Sequence, residues 1–167
     1  MRYLMLITVL FLSMQPVIHA QSIEGNYAIK NLETGNLLRP EGANKADMTN
    51  IVLYTPTNWK CMTWEFIPVS DETYQLKNLF TSKTFYGTEA ENGIYPLKQV
   101  ALQKNDPEQS WTFERVEEGI YRIRLKERPL YITPMDGTGM TNTHVVLAPK
   151  TAGELQLWTI YEQDPKY

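Results

Sequence analysis

The chain has 167 residues, 43% of them hydrophobic and 21% charged, with one cysteine and a formal net charge of −3. That length can bury a substantial core, and a lone thiol excludes an internal disulfide, leaving packing to hold the fold. The charge is mildly acidic with no basic block to attract a phosphate backbone, which argues against a nucleic-acid partner.

The first twenty residues, MRYLMLITVLFLSMQPVIHA, carry Arg2, an apolar run from Tyr3 to Leu12, then Pro16 and small Ala20. This is the order of a secretory signal peptide, and the apolar run is shorter than the ~20 residues a spanning helix needs. Cleavage is expected between Ala20 and Gln21, with no Cys there for lipid attachment. The expected organisation is a signal peptide at 1–20 and one domain at 21–167. The mature chain would be secreted or periplasmic, with no membrane association. Losing Arg2 leaves 15 basic residues against 19 acidic ones, a net charge near −4.

Next comes NYAIKNL, in which apolar and other residues alternate with period two, the pattern of a half-buried strand. ETGN and PEGANKADMTN follow as turn-rich stretches, with NIVLYT and TWEFIPV as further strands. The same order returns as TYQLKNL, QVALQK and SWTFERV, and again as IYRIRLK, HVVLAP and LWTIYEQ. Trp64, Trp111 and Trp158 are separated by 47 residues each time. Tyr27, Tyr74 and Tyr121 keep that offset, as do Ile29, Leu76 and Ile123, and Lys30, Lys77 and Arg124. Leu38, Phe85 and Ile132 align, as do Leu53, Val100 and Leu147, and Phe66, Phe113 and Ile160. The chain is therefore a threefold internal repeat with units at about 24–70, 71–117 and 118–164. Each unit holds about four short strands, roughly twelve in all, and no amphipathic helix is evident. Three units are too few for a propeller. Three equivalent β units can instead close around a pseudo-threefold axis, which removes exposed strand edges.

The order G-x-Y-x-I-x-N, T-G-x-x-L, V-x-L, Q-x-W-x-F, given three times, resembles the ricin-type β-trefoil lectins. GNYAIKNLETGNLL, IVLY and MTWEF show it best, with Met62 where the pattern has Gln; QSWTF and QLWTI keep that Gln as Gln109 and Gln156. The resemblance implies an all-β trefoil whose core holds Tyr27, Trp64, Tyr74, Trp111, Tyr121 and Trp158, with the Gln side chain bracing each unit. It also implies a sugar pocket in each unit. A carboxylate and an amide would hold hydroxyls while an aromatic ring covers the apolar face of the sugar. Carried onto this chain, the Asp position reads Arg39, Tyr86 and Thr133. The stacking position reads Tyr54, Gln103 and Ala148, and the Asn position reads Cys61, Glu108 and Leu155. No unit keeps the galactose set, so the sugar specificity is expected to differ from galactose. Unit one offers Arg39, Asp47, Asn50, Tyr54 and Trp59 as candidate ligand-binding residues, with a glycan as the expected partner.

Catalysis is not expected. His144 is the only histidine after the signal peptide, at a strand start in NTHVVL, and no G-x-S-x-G, H-E-x-x-H or phosphate-loop pattern occurs. No metal or cofactor is expected. Cys61, among apolar and aromatic neighbours, reads as a buried thiol. Two other functions fit a small trefoil: a protease inhibitor presenting loop 39–50, 87–99 or 133–142, and a scaffold that binds a protein partner. The expected state is a monomer.

Overall fold

The computed structural model describes residues 22–89 and 92–167; the expected signal peptide at 1–20 and its cleavage junction at Gln21 lie outside them. Unit one comprises β1 (Gly25–Asn31), β2 (Leu37–Pro40), β3 (Ile51–Tyr54) and β4 (Trp64–Ser70). Unit two comprises β5 (Thr73–Asn78), β6 (Thr84–Gly87), β7 (Tyr95–Val100) and β8 (Ser110–Glu117). Unit three comprises β9 (Ile120–Leu125), β10 (Leu130–Pro134), β11 (Val145–Pro149) and β12 (Trp158–Glu162). Among the described residues no helix is long and apolar enough to cross a membrane.

Six strands close on themselves. β1 pairs with β4, β4 with β5, β5 with β8, β8 with β9, β9 with β12 and β12 with β1, all antiparallel. The hairpins β2–β3, β6–β7 and β10–β11 cap one end of this barrel and touch one another. Their contacts are the bridges Asn50–Lys98 and Val52–His144 and the β7–β11 pairing. This is a β-trefoil, and its repeat is built into the register. Tyr27 faces Trp64, Tyr74 faces Trp111 and Tyr121 faces Trp158 across neighbouring barrel strands.

The period-two alternation explains the core. Ile29, Leu76 and Ile123 point inward with Trp64, Trp111 and Trp158, and all are fully buried. Leu38, Phe85 and Ile132 close the core from the hairpins. Burying one such side chain is worth about 1.5–3 kcal/mol relative to leaving it exposed. At the open end Phe66 and Phe113 lie 5.1 Å apart, and Tyr74 and Tyr121 meet Phe113 edge-on. Tyr74 is buried, while Tyr27 and Tyr121 are partly exposed at the barrel mouth.

One aligned triple differs from the expectation. Leu53 pairs with Leu38 and Leu147 with Ile132, but Phe85 pairs with Gln99, not Val100. The hairpin turn of unit two is one residue shorter and the following loop one longer, so the tryptophan spacing survives while β7 shifts between them. Gln99 is consequently 1% exposed in a core position, and its Nε2 donates to the carbonyls of Asn44 (3.0 Å) and Ala46 (2.8 Å).

Candidate functional site

The loops around each unit are held by side-chain amides. Gln109 donates to the Ala101 carbonyl (3.2 Å) and accepts from the Gln103 N–H (2.8 Å). Gln156 repeats this on the Pro149 carbonyl (2.9 Å) and the Thr151 N–H (2.8 Å). In unit one Met62 is buried in that place and only accepts a hydroxyl hydrogen from Thr57 (3.0 Å). The bracing comes instead from the far end of the chain. Gln163 Nε2 donates to the Thr57 carbonyl (3.2 Å), and its Oε1 accepts from the Thr63 hydroxyl (2.7 Å). Asn58 Nδ2 donates to the Asp164 carbonyl (3.3 Å) and Lys60 N–H to the Tyr167 carbonyl. Residues 163–167 thus form a strap over the loop that carries Trp59. Nothing in the repeat pattern signals Gln163, which lies 100 residues from Thr63.

Three of the five candidate residues come together. Tyr54 ends β3 opposite Leu37. Arg39 on β2 lays its guanidinium over the Tyr54 ring, 3.5 Å from the centroid. Trp59 approaches Tyr54 at 6.4 Å, tilted by 33°, and is 41% exposed. Arg39 itself is 7% exposed. Its Nη2 makes one long hydrogen bond to Asn142 Oδ1 of unit three, at 3.4 Å, and its Nε is buried without a partner among the described residues. Asn142 reaches Arg39 from a left-handed backbone conformation (φ 67°). The Cys61 thiol is buried, as the sequence suggests; burial pushes its pKa up, and the adjacent Arg39 charge opposes the rise.

Asp47 and Asn50 go elsewhere. Asp47 accepts from Lys83 Nζ at 2.5 Å. Asn50 donates to Glu41 Oε2 (2.7 Å) and accepts from Lys98 Nζ. Both therefore face unit two and not the Arg39–Tyr54–Trp59 stack. The cause is the loop's path. Met48 N–H donates to the Gln99 carbonyl (2.8 Å) and Gln99 N–H to the Thr49 carbonyl (2.7 Å), which pins residues 44–49 against β7. Asn142 N–H and the Thr143 carbonyl make the same two bonds to Leu53 of unit one.

Among the described residues, units two and three assemble no such trio with an exposed indole, although Arg128 lies over the Tyr95 ring at 4.5 Å. The partner of Thr84 is Val100, where unit one has Tyr54 opposite Leu37, so Val100 and not Gln103 occupies the stacking position. Gln103 lies in the exposed loop beyond β7. Tyr86 points its hydroxyl at the Met48 sulfur (3.7 Å), Thr133 bonds its own strand through the Pro134 carbonyl, and Ala148 carries no ring. Glu108 pairs with Arg128 at 3.7 Å. A separate cavity of about 330 Å³ opens at the barrel mouth beside Ile23, Tyr74, Phe113 and Tyr121.

A family model described as a ricin-type beta-trefoil lectin domain-like family matches residues 17–101. No curated protein matches the chain by sequence. Among solved structures, the designed threefold-symmetric protein ThreeFoil superposes with a TM-score of 0.76 at 17% identity, covering 82% of this chain and 98% of its own. The Rhizoctonia solani agglutinin gives 0.75 at 15% identity, covering 86% and 99%. A Macrolepiota procera ricin B-like lectin, solved with lactose, gives 0.68 at 21% identity, covering 87% and 99%. At these identities the shared property is the fold.

Proposed function

The chain belongs to the ricin-type beta-trefoil lectin domain-like family, and on that premise we propose that it is a secreted, monomeric, non-catalytic carbohydrate-binding module whose working site lies in unit one. One observation carries the reading. Among the described residues, only in unit one do a solvent-exposed indole (Trp59), a phenol (Tyr54) and a strong hydrogen-bond donor (Arg39) meet. An exposed indole offers a flat apolar surface for the C–H face of a sugar ring, and a few fixed polar groups set its orientation. The leader at 1–20 supports secretion. The absence of any catalytic motif and the position of His144, bridging Val52 by its backbone, support a binding role over catalysis.

Trp59→Ala is the direct test. Saccharide binding on a printed glycan array, followed by titration of the best hit, should weaken by about five- to thirtyfold, since stacking contacts of this size are worth on the order of 1–2 kcal/mol. The melting temperature should stay within about 2 °C because the side chain is partly exposed. Undiminished binding would move the site away from unit one.

Protease inhibition is the second reading. Loop 44–49 is held by four hydrogen bonds to Gln99, and its tip residue Met48 is 53% exposed. A preorganised exposed loop suits insertion into a protease cleft, and titration against a panel of proteases distinguishes this role from sugar binding.

A further inference from the structure

Arg39 is a buried cation with no anion beside it. It is 7% exposed, and among the described residues no carboxylate pairs with it. Its Nε has no partner, Nη2 has one long contact to a neutral amide, and its other polar neighbour is the Cys61 thiol, which burial keeps neutral. The Tyr54 ring beneath it, at 3.5 Å, offsets only part of the lost hydration. A guanidinium has five N–H donors and no acceptor, so a ligand that completes this site must bring acceptors, and a charged acceptor is favoured most.

The same position carries Asp in the galactose pattern that the sequence resembles. A carboxylate there accepts from neutral hydroxyls; a guanidinium cannot. Arg39 also covers one face of Tyr54, so that face cannot stack on a sugar, whereas Trp59 is open. Resting on the carbohydrate reading above, we propose that unit one recognises anionic saccharides. The carboxylate or sulfate of the sugar takes hydrogen bonds from the Arg39 guanidinium while the ring lies against Trp59. The charge reversal at residue 39 turns a neutral-sugar pocket into an acidic-sugar pocket on an unchanged trefoil.

The test is an array of neutral, uronate-containing, sialylated and sulfated saccharides probed with the full chain. Titration then compares each acidic hit with its neutral parent at low and high NaCl. Acidic sugars should bind at least about tenfold tighter than the neutral parents, and the advantage should shrink at high salt. Arg39→Gln should abolish the preference, and Arg39→Lys should retain part of it because the charge stays while the planar fork is lost. If Arg39→Gln does not fold, the salt dependence and Arg39→Lys decide. Response to uronates alone, or to sulfates alone, supports the proposal and identifies the anion. Neutral saccharides bound as tightly as acidic ones would overturn it while leaving the carbohydrate reading standing. Binding of no saccharide of any class would overturn both.

Discussion

Trp64→Ala should destabilise the protein by about 3–5 kcal/mol, the range for emptying an aromatic core site. Trp64 is fully buried, packs edge-on against Phe85 with centroids 5.2 Å apart, and donates from Nε1 to the Leu38 carbonyl at 3.0 Å. The substitution opens a cavity where barrel and hairpin cap meet and orphans a buried carbonyl. The three tryptophans are not energetically equal, which gives a sharper comparison. Trp158 repeats the bond, to the Ile132 carbonyl at 3.0 Å, but the Trp111 Nε1 is buried without a partner. There Phe85 lies nearly stacked on the indole, 4.9 Å away at 32°. Replacing each by Phe removes similar volume. Trp64→Phe and Trp158→Phe should therefore each cost about 1 kcal/mol more than Trp111→Phe, the worth of a buried hydrogen bond. Urea unfolding of the three variants measures this. Equal losses at all three sites would contradict the asymmetry.

Gln156→Ala should cost about 2–4 kcal/mol. Its side chain is fully buried and both amide atoms are engaged, so truncation orphans the Thr151 N–H and the Pro149 carbonyl. Gln156→Met is the informative partner, because Met fills the equivalent position in unit one without harm. Unit three has no strap to substitute, so Met there should still cost about 2 kcal/mol. The converse applies in unit one: Gln163→Ala should leave global stability within about 1 kcal/mol, since Gln163 is partly exposed, yet speed hydrogen exchange at the Lys60 and Met62 amides. Such local loosening is the signature of a lost loop brace. Unchanged exchange at those amides would mean that the strap does not hold the loop.

Much of this was legible in the sequence, for a physical reason. Trp64, Trp111 and Trp158 lie in the first two residues of three barrel strands whose register is fixed by closure, so their spacing cannot drift, and the 47-residue period reported the fold directly. Val100 was misleading because a shortened turn and a lengthened loop cancel between fixed points. The candidate site was only partly legible. Arg39, Tyr54 and Trp59 meet because strand pairing brings β2 beside β3. Asp47 and Asn50 share their loop in sequence, but hydrogen bonds to Gln99 and Lys98 draw them to unit two. Gln163 and Asn142 act across more than a hundred positions, so no local pattern signals them.

The proposed binding site lies in unit one alone. Backbone amide chemical shifts followed by NMR during titration with the best saccharide from the array test this most directly. The shifts should move at Arg39, Tyr54, Trp59, Cys61 and Asn142 and stay still at Val100, Ala148 and the barrel-mouth cavity. Shifts confined to units two and three, or centred on Tyr74 and Tyr121 at the barrel mouth, would contradict the claim.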